Sequence, residues 1–253
     1  MGIVTELRRR WLVYCYKPRH WRLRPGTIDR RVFLDVVSHN AYRLPPRLGP
    51  QDIVVDIGAH IGSFSYAALR RGAGRVYCCE ANEPNFRLLG HNLAPYEDRV
   101  HRFHSIIWRS DQTMSCLALH NACDPGNTGT HQVVDAAAAP QVPVLAFDEL
   151  VQRATAGGAR RVRLLKLDCE GSEWPILLTA RRLHLVDAIC GEYHIVPATG
   201  LFGVAGRGQY TPALLRLYLE EHGFHVQICP DPKDPERLGL FFAERAGARP
   251  LAA

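Results

Sequence analysis

Between Ile53 and Ser65 a run of β-branched residues, Ile53-Val54-Val55, ends at Asp56 and gives way to a turn punctuated by Gly58 and Gly62. A helical pattern opens at Ser63, runs to about Arg71 and closes on Gly72 and Gly74. The pattern predicts a buried strand, a tight turn and a helix whose unsatisfied N-terminal amides face that turn. Glycines there let a ligand approach the backbone with no Cβ in the way. A strand-turn-helix unit of this kind places the chain among α/β folds and points to a nucleotide-like cofactor.

The spacing narrows the choice of nucleotide. A dinucleotide fingerprint reads G-x-G-x-x-G, with a third glycine for close helix packing. Here the pattern is Asp56-x-Gly58-x-x-x-Gly62, and His60 stands where a second glycine would fall. It is more similar to the turn of S-adenosylmethionine-dependent methyltransferases, whose ligand offers an amino acid end instead of a pyrophosphate. A second strand, Arg75-Val-Tyr-Cys-Cys-Glu80, ends in an acid 24 positions after Asp56. A carboxylate at that spacing can accept hydrogen bonds from both ribose hydroxyls.

The 253 residues suit one α/β domain with an ample core. No run approaches the length of a membrane span, and the first residues lack the apolar core of a secretory signal. The eight cysteines show no C-x-x-C spacing, so they read as reduced thiols of a cytoplasmic protein. Only Lys17, Lys166 and Lys233 are lysine among 31 basic residues, a bias expected of a GC-rich bacterial coding sequence. The net charge of +6 is uneven: residues 1–31 carry nine basic side chains against Glu6 and Asp29. The other 22 basic and 23 acidic residues nearly cancel. Residues 1–30, with Arg8-Arg9-Arg10, Trp11, Tyr14, Tyr16 and Trp21, are therefore expected as a basic leader. It would touch a surface or pack on its own domain, residues 31–247.

Along the chain, residues 28–43 have apolar positions at helical spacing and are expected to form a helix ended by Pro45-Pro46. A helix from Glu83 to about Ala94 and a third strand from Arg99 to Ile107 follow. Met114–Leu119 and Gln141–Ala146 are strand-like. Between them 121–140 is rich in Gly, Asn, Asp and Ala, as in a mobile loop; 196–208 reads likewise. Strands at Val162–Asp168 and Val186–Tyr193, a helix from Glu173 and an amphipathic helix at Pro212–His222 continue the alternation. Phe224–Ile228 and Leu238–Ala243 should pair antiparallel across a short Pro/Asp turn. The fold class is α/β: a mostly parallel seven-stranded sheet, helices on both faces, and a C-terminal antiparallel hairpin.

Ligands of open α/β sheets bind outside the carboxyl ends of the strands. The polar residues there are Asp56, Glu80, the alternating Lys166, Asp168 and Glu170, and Glu192 with His194. A central strand tolerates such charges only when they are paired or functional. Taken together, Val54-Val-Asp-Ile-Gly-Ala-His-Ile-Gly62, Glu80, Leu164-Leu-Lys-Leu-Asp-Cys-Glu-Gly-Ser-Glu173 and Glu192-Tyr-His194 resemble an FkbM-type methyltransferase over roughly residues 30–245. The Lys-x-Asp-x-Glu-Gly-x-Glu string is its most specific element. The resemblance implies a Rossmann-like methyltransferase fold, S-adenosylmethionine as cofactor, and O-methylation of a hydroxyl on a sugar or secondary metabolite. His60 departs from it, since the family more often has Asn there.

Carried onto this chain, the resemblance puts Asp56, Gly58, Ala59, His60, Gly62, Ser63 and Phe64 around the methionine portion. Glu80, followed by Ala81 and Asn82, would take the ribose, and Ser105 to Ile107, Ile106 included, would border the adenine. Asp168 would sit where sulfonium and acceptor meet. Tyr42, Arg43, Glu170 and Glu192 would contact the acceptor. His194 is the expected base, because an unperturbed imidazole is largely neutral at cellular pH, with Asp168 as the alternative. Lys166 would neutralise the acid cluster. No metal is expected, although Asp168, Glu170 and Glu192 could in principle hold Mg²⁺. The expected partner is a small acceptor, not nucleic acid; a homodimer is compatible with the sequence. Competing readings are a nucleic-acid methyltransferase, which lacks its Pro-Pro-Tyr or Pro-Cys motif here, and an NAD-dependent oxidoreductase, which lacks the third glycine.

Overall fold

A computed structural model describes residues 16–121, 126–135 and 141–252. In chain order the elements are α1 (Asp29–Val37), β1 (Ile53–Ile57), α2 (Ser63–Arg70), β2 (Arg75–Glu80) and α3 (Glu83–Leu93). Strands β3 (Val100–His104), β4 (Ile106–Trp108), β5 (Cys116–Asn121), β6 (His131–Val134) and β7 (Gln141–Ala146) follow. The remainder is α4 (Phe147–Ala154), β8 (Val162–Leu167), α5 (Glu173–Thr179), β9 (Ala188–His194), α6 (Pro212–Glu221), β10 (Phe224–Pro230) and β11 (Leu238–Arg245).

Seven strands form one sheet in the order β10-β11-β9-β8-β1-β2-β3. Neighbours from β9 to β3 pair parallel, and β11 is antiparallel to both β9 and β10. Only β11 therefore runs against the rest, and the expected hairpin is β10–β11. Because successive residues of a strand face opposite sides, the sheet divides the core in two. Val55, Ile57, Leu165 and Leu167 pack with residues of α4, α5 and α6, whereas Val54, Val76 and Leu164 pack with α1, α2 and α3. The strands of the sheet centre are buried on both faces, as a helix-covered parallel sheet requires. Asn82 and Thr211 cap α3 and α6 by accepting from backbone amides at N3, each followed by an early proline.

Three expectations need correction. The helix expected over 28–43 stops at Val37, well before Pro45. Asn40 has φ 53° and exchanges two side-chain hydrogen bonds with the Leu44 backbone, a local turn that competes with further helix. The single strand expected from Arg99 to Ile107 is two. It breaks at Ser105, where β4 leaves the main sheet to pair with β7 and begin a smaller sheet, β4-β7-β5-β6. Residues 131–134, placed in the loop 121–140, are strand β6 paired with β5, and Val133 is buried.

The expected boundary at residue 30 does not separate an arm from the domain. Trp21 is 2% exposed and lies 4.9 Å from the Tyr66 ring, and Asp29 is fully buried. At the other end, Arg249 pairs with Asp52 and Ala252 bonds back to Arg43. Arg8-Arg9-Arg10, Trp11 and Tyr14 lie outside the described residues. Six cysteines are free among the described residues, with Cys78 and Cys79 buried in β2. No helix among the described residues is long and apolar enough to cross a membrane.

Candidate active site

The carboxyl ends of β1, β2 and β8 converge where the strand order reverses, and a cavity of about 710 Å³, counted out to its mouth, opens there. One end is polar, formed by Gly58, His60, Asp168, Glu170 and Ser172; Glu80, Ala81 and Asn85 lie along it. Ser105, Ile106, Ile107, Leu119 and Val133 make the apolar end.

Gly58 has φ 76°, and a Cβ on it would fall 1.8 Å from the Asp168 carbonyl oxygen. That approach of β1 to β8 is what the first glycine permits. His60 also sits in the left-handed region, at φ 51°. Its backbone amide donates to Glu80 Oε2 at 2.7 Å, while the Asn82 amide donates to Oε1 at 2.8 Å. Burial pushes Glu80 up to about 7 despite these donors, so the acid is held in place but poorly solvated. A sugar hydroxyl would supply what it lacks.

Asp56 does not line this cavity. It is fully buried, accepts from Ser65 Oγ at 2.7 Å and lies 3.3 Å from Lys166 Nζ. Ala59, Gly62, Ser63, Phe64 and Asn82 are likewise not among its lining; they shape and cap the turn and α3. Lys166 is the internal cation of the site. Its ammonium donates to the Gly58 carbonyl at 2.6 Å and stands 3.5 Å from Asp168. Burial would lower Lys166, but Asp56 and Asp168 overcome it and hold the ammonium charged.

Asp168 and Glu170 line this cavity and also a second one, open between α1 and the end of β9. Its walls include Val36, Tyr42, Leu238 and Leu240, and its floor is Asp168, Glu170, Glu192 and His194. Tyr42 donates to Asp168 Oδ2 at 2.7 Å. Burial alone would raise Asp168, yet Lys166, His194 and the Tyr42 hydroxyl leave it below the usual carboxylate range. Glu170 has φ 55°, followed by Gly171 at φ 100°. This left-handed pair turns the loop at the end of β8, and Glu173 ties it down by accepting from the Cys169 and Gly171 amides.

His194 requires a correction of its chemistry. Its Nδ1 is 3.4 Å from Glu173 and its Nε2 is 3.6 Å from Glu170. Burial alone would lower the ring, but Glu173, Glu170 and Asp168 push it up to about 10. At neutral pH the imidazole is a cation, not the free base that an unperturbed histidine would be. Burial and the neighbouring acids push Glu170 and Glu192 up to about 7 instead. Asp168, Glu192 and His194 each bring one atom within 4.8 Å of the others, the arrangement nearest to a metal site among the described residues. Arg43 faces elsewhere: its guanidinium lies 4.0 Å over the Phe242 ring and donates to Gln227.

Several contributors carried no readable signal. Arg24 bonds Asp29 and Asn85, and Thr128 bonds His60 Nε2 at 2.8 Å and Asp29 Oδ1 at 3.1 Å. These contacts join the N-terminal segment, the glycine turn and the 126–131 segment over the site. Burial drives His60 down to about 4, so the ring is neutral within this cluster. Asn85, one turn into α3, could have been suspected from its closeness to Glu80; Arg24 and Thr128 lay in stretches read as leader and loop.

The cavity suits S-adenosylmethionine on its own features. An ionisable acid flanks a midpoint, an apolar slot lies at one end and carboxylates at the other, where a sulfonium and an ammonium need partners. His60 Nδ1 and Ser172 Oγ are buried polar atoms with no protein partner in that same lining.

A sequence-family model described as the methyltransferase FkbM domain matches residues 56–226. No curated protein matches the sequence. Among solved structures, the chain is similar to precorrin-6y C5,15-methyltransferase from Geobacter metallireducens GS-15, at 12% identity and TM-score 0.46, covering 91% of this chain and 96% of that one. It is similar to TrmK of M. capricolum, solved with S-adenosylhomocysteine, at 9% identity and TM-score 0.45, covering 82% and 67%. An rRNA methylase from Streptococcus thermophilus gives 12% identity and TM-score 0.44, covering 88% and 97%. With the domain matched over most of its length, the chain belongs to the FkbM family of S-adenosylmethionine-dependent methyltransferases.

Proposed function

We propose that this protein transfers the methyl group of S-adenosylmethionine to a hydroxyl of a small acceptor, of the sugar or secondary-metabolite class. The observation that carries this reading is that the two cavities share Asp168 and Glu170. A donor lying along Gly58, Glu80 and Ile106 would have its reactive end at Asp168, facing the second cavity. When bound, the cofactor supplies an electrophilic methyl carbon on a sulfonium. The chain's own residues do the rest.

Asp168, fixed by Tyr42 and Lys166, orients the acceptor hydroxyl. Holding donor and acceptor in line is worth up to roughly 7–11 kcal/mol in favourable cases. With the cofactor bound, its carbon–sulfur bond would break as the carbon–oxygen bond to the acceptor formed, and the hydroxyl proton would need a base. Glu170, which lines both cavities and titrates near neutrality, is that base. His194, as a cation between Glu170 and Glu173, holds the carboxylate in place.

The acid floor of the second cavity supports a small acceptor over a nucleic acid, because phosphates would meet carboxylates there. The test has two stages. Calorimetry should show S-adenosylhomocysteine binding in the micromolar range, with NADH giving no heat. Labelled S-adenosylmethionine should then pass its methyl to members of a sugar and polyol panel and leave RNA unlabelled. Labelling of RNA with a steep salt dependence would replace this reading with the nucleic-acid one.

A further inference from the structure

Carboxyl groups outnumber cations at the floor of the acceptor cavity. Four carboxylates, Asp168, Glu170, Glu173 and Glu192, meet two cations, Lys166 and His194. Both cations have nearer partners and reach Glu192 only from beyond 4 Å. The Lys166 ammonium is shared by Asp56, Asp168 and the Gly58 carbonyl, and the His194 ring stands between Glu170 and Glu173. Among the described residues Glu192 accepts no hydrogen bond and makes no ion pair within 4 Å, although it lines the cavity. Arg31 and Asp35 also line this cavity and carry opposite charges, so together they add no net charge.

The walls make the imbalance costly. Val36, Ala41, Leu238 and Leu240 are apolar, and the half-buried Glu192 carboxylate beside them loses part of its solvation. A neutral hydroxyl on the ligand would give Glu192 one hydrogen bond and leave the excess charge. An anionic group would add to it. An ammonium gives charge-assisted hydrogen bonds and removes the imbalance.

We propose that the acceptor carries a cationic nitrogen close to the hydroxyl that is methylated, and that Glu192 is its partner. This rests on the reading of the second cavity as the acceptor site. Glu192, raised to about 7 by burial and by Asp168, is the group such a cation would return to its charged form.

The test uses the full chain saturated with S-adenosylhomocysteine and three probes of one ring shape. These are trans-2-aminocyclohexanol, trans-1,2-cyclohexanediol and trans-2-hydroxycyclohexanecarboxylate, titrated by calorimetry at neutral pH. The aminoalcohol should bind about tenfold or more tightly than the diol, and the carboxylate weakest. In Glu192→Gln the advantage of the aminoalcohol should fall to within about twofold, with S-adenosylhomocysteine affinity retained as proof of folding. Equal binding of aminoalcohol and diol, stronger binding of the carboxylate, no heat with any probe, or a preference that survives in Glu192→Gln would each overturn the proposal. If S-adenosylhomocysteine itself does not bind, the donor assignment fails first, and this inference with it.

Discussion

The two cavities that meet at Asp168 are built in different ways. In the donor cavity the key groups are held by backbone: Glu80 by the His60 and Asn82 amides, and the glycine turn by its close approach to β8. In the acceptor cavity they are held by one another, through side chains from α1, the β8 loop and β9 whose charges are mutually dependent. Backbone fixation tolerates no local change of shape, and in this cavity only Glu80, raised to about 7, answers to pH near neutrality. A side-chain network tolerates changes of shape and answers to every proton.

The largest effect should come from the backbone-built side. Gly58→Val places a β-branched side chain at φ 76°, with its Cβ 1.8 Å from the Asp168 carbonyl oxygen. The strands cannot separate there without opening the sheet, so a stability loss of roughly 5 kcal/mol is expected. Urea unfolding measures it, and S-adenosylhomocysteine should no longer bind. Retained affinity would show that the turn can relax, and would break the comparison.

Lys166→Met touches both sides at once, because one ammonium serves the Gly58 carbonyl, Asp56 and Asp168. Removing it leaves the buried Asp56 carboxylate without its cation and takes one partner from the partly exposed Asp168, and about 3–5 kcal/mol should be lost. Unlike Gly58→Val, this variant should recover part of its stability as the pH falls and the carboxylates take up protons. Denaturant midpoints in an acidic and a neutral buffer separate the two behaviours.

His194→Gln tests the network side alone. The ring's folded pKa, pushed up to about 10, lies above its ordinary 6.5. A group raised in this way contributes its full stabilisation below about 6.5 and loses it as pH rises through about 10. The gap between wild type and His194→Gln should therefore be widest at neutral and lower pH, on the order of 2–4 kcal/mol. It should close in alkaline buffer. A gap independent of pH would mean that the ring is packed as a neutral group, and would restore it as a candidate base.

The same division explains what could be read from the sequence. The Asp56–Gly62 turn, the acid at Glu80 and the strand-helix alternation are legible because backbone geometry dictates residue type: a left-handed turn asks for glycine, and a buried strand asks for Val and Ile. The Lys166-x-Asp168-x-Glu170 alternation announced a charged site for a similar reason. What the sequence does not state is who pairs with whom. Nothing local reveals that Tyr42 reaches Asp168, 126 positions away, or that Thr128 reaches Asp29, 99 positions away, to meet Arg24 and His60 there. The state of His194 was misread for that cause: its charge is set by Glu170 and Glu173, more than twenty positions upstream. Asp56 was read as a ligand contact, yet its carboxylate faces Ser65 and Lys166 inside the domain.

Arg43 gives the smallest effect and the sharpest control. The sequence puts it next to Tyr42, and adjacency suggested a shared cavity. Its backbone, however, is in the left-handed region at φ 51°, which turns the chain between the two side chains. Tyr42 is directed to Asp168, whereas Arg43 stacks on Phe242 in a separate shallow groove with Gln227 and Glu244. A partly exposed cation over an aromatic ring is worth about 0.5–1 kcal/mol. Arg43→Ala should cost no more than that in urea unfolding. Its affinities for S-adenosylhomocysteine and for trans-2-aminocyclohexanol should stay within about twofold of wild type, because no part of either cavity depends on the guanidinium. A larger loss of probe affinity would mean that the acceptor extends around the end of the sheet past Phe242, and the acceptor cavity would then be larger than its present walls.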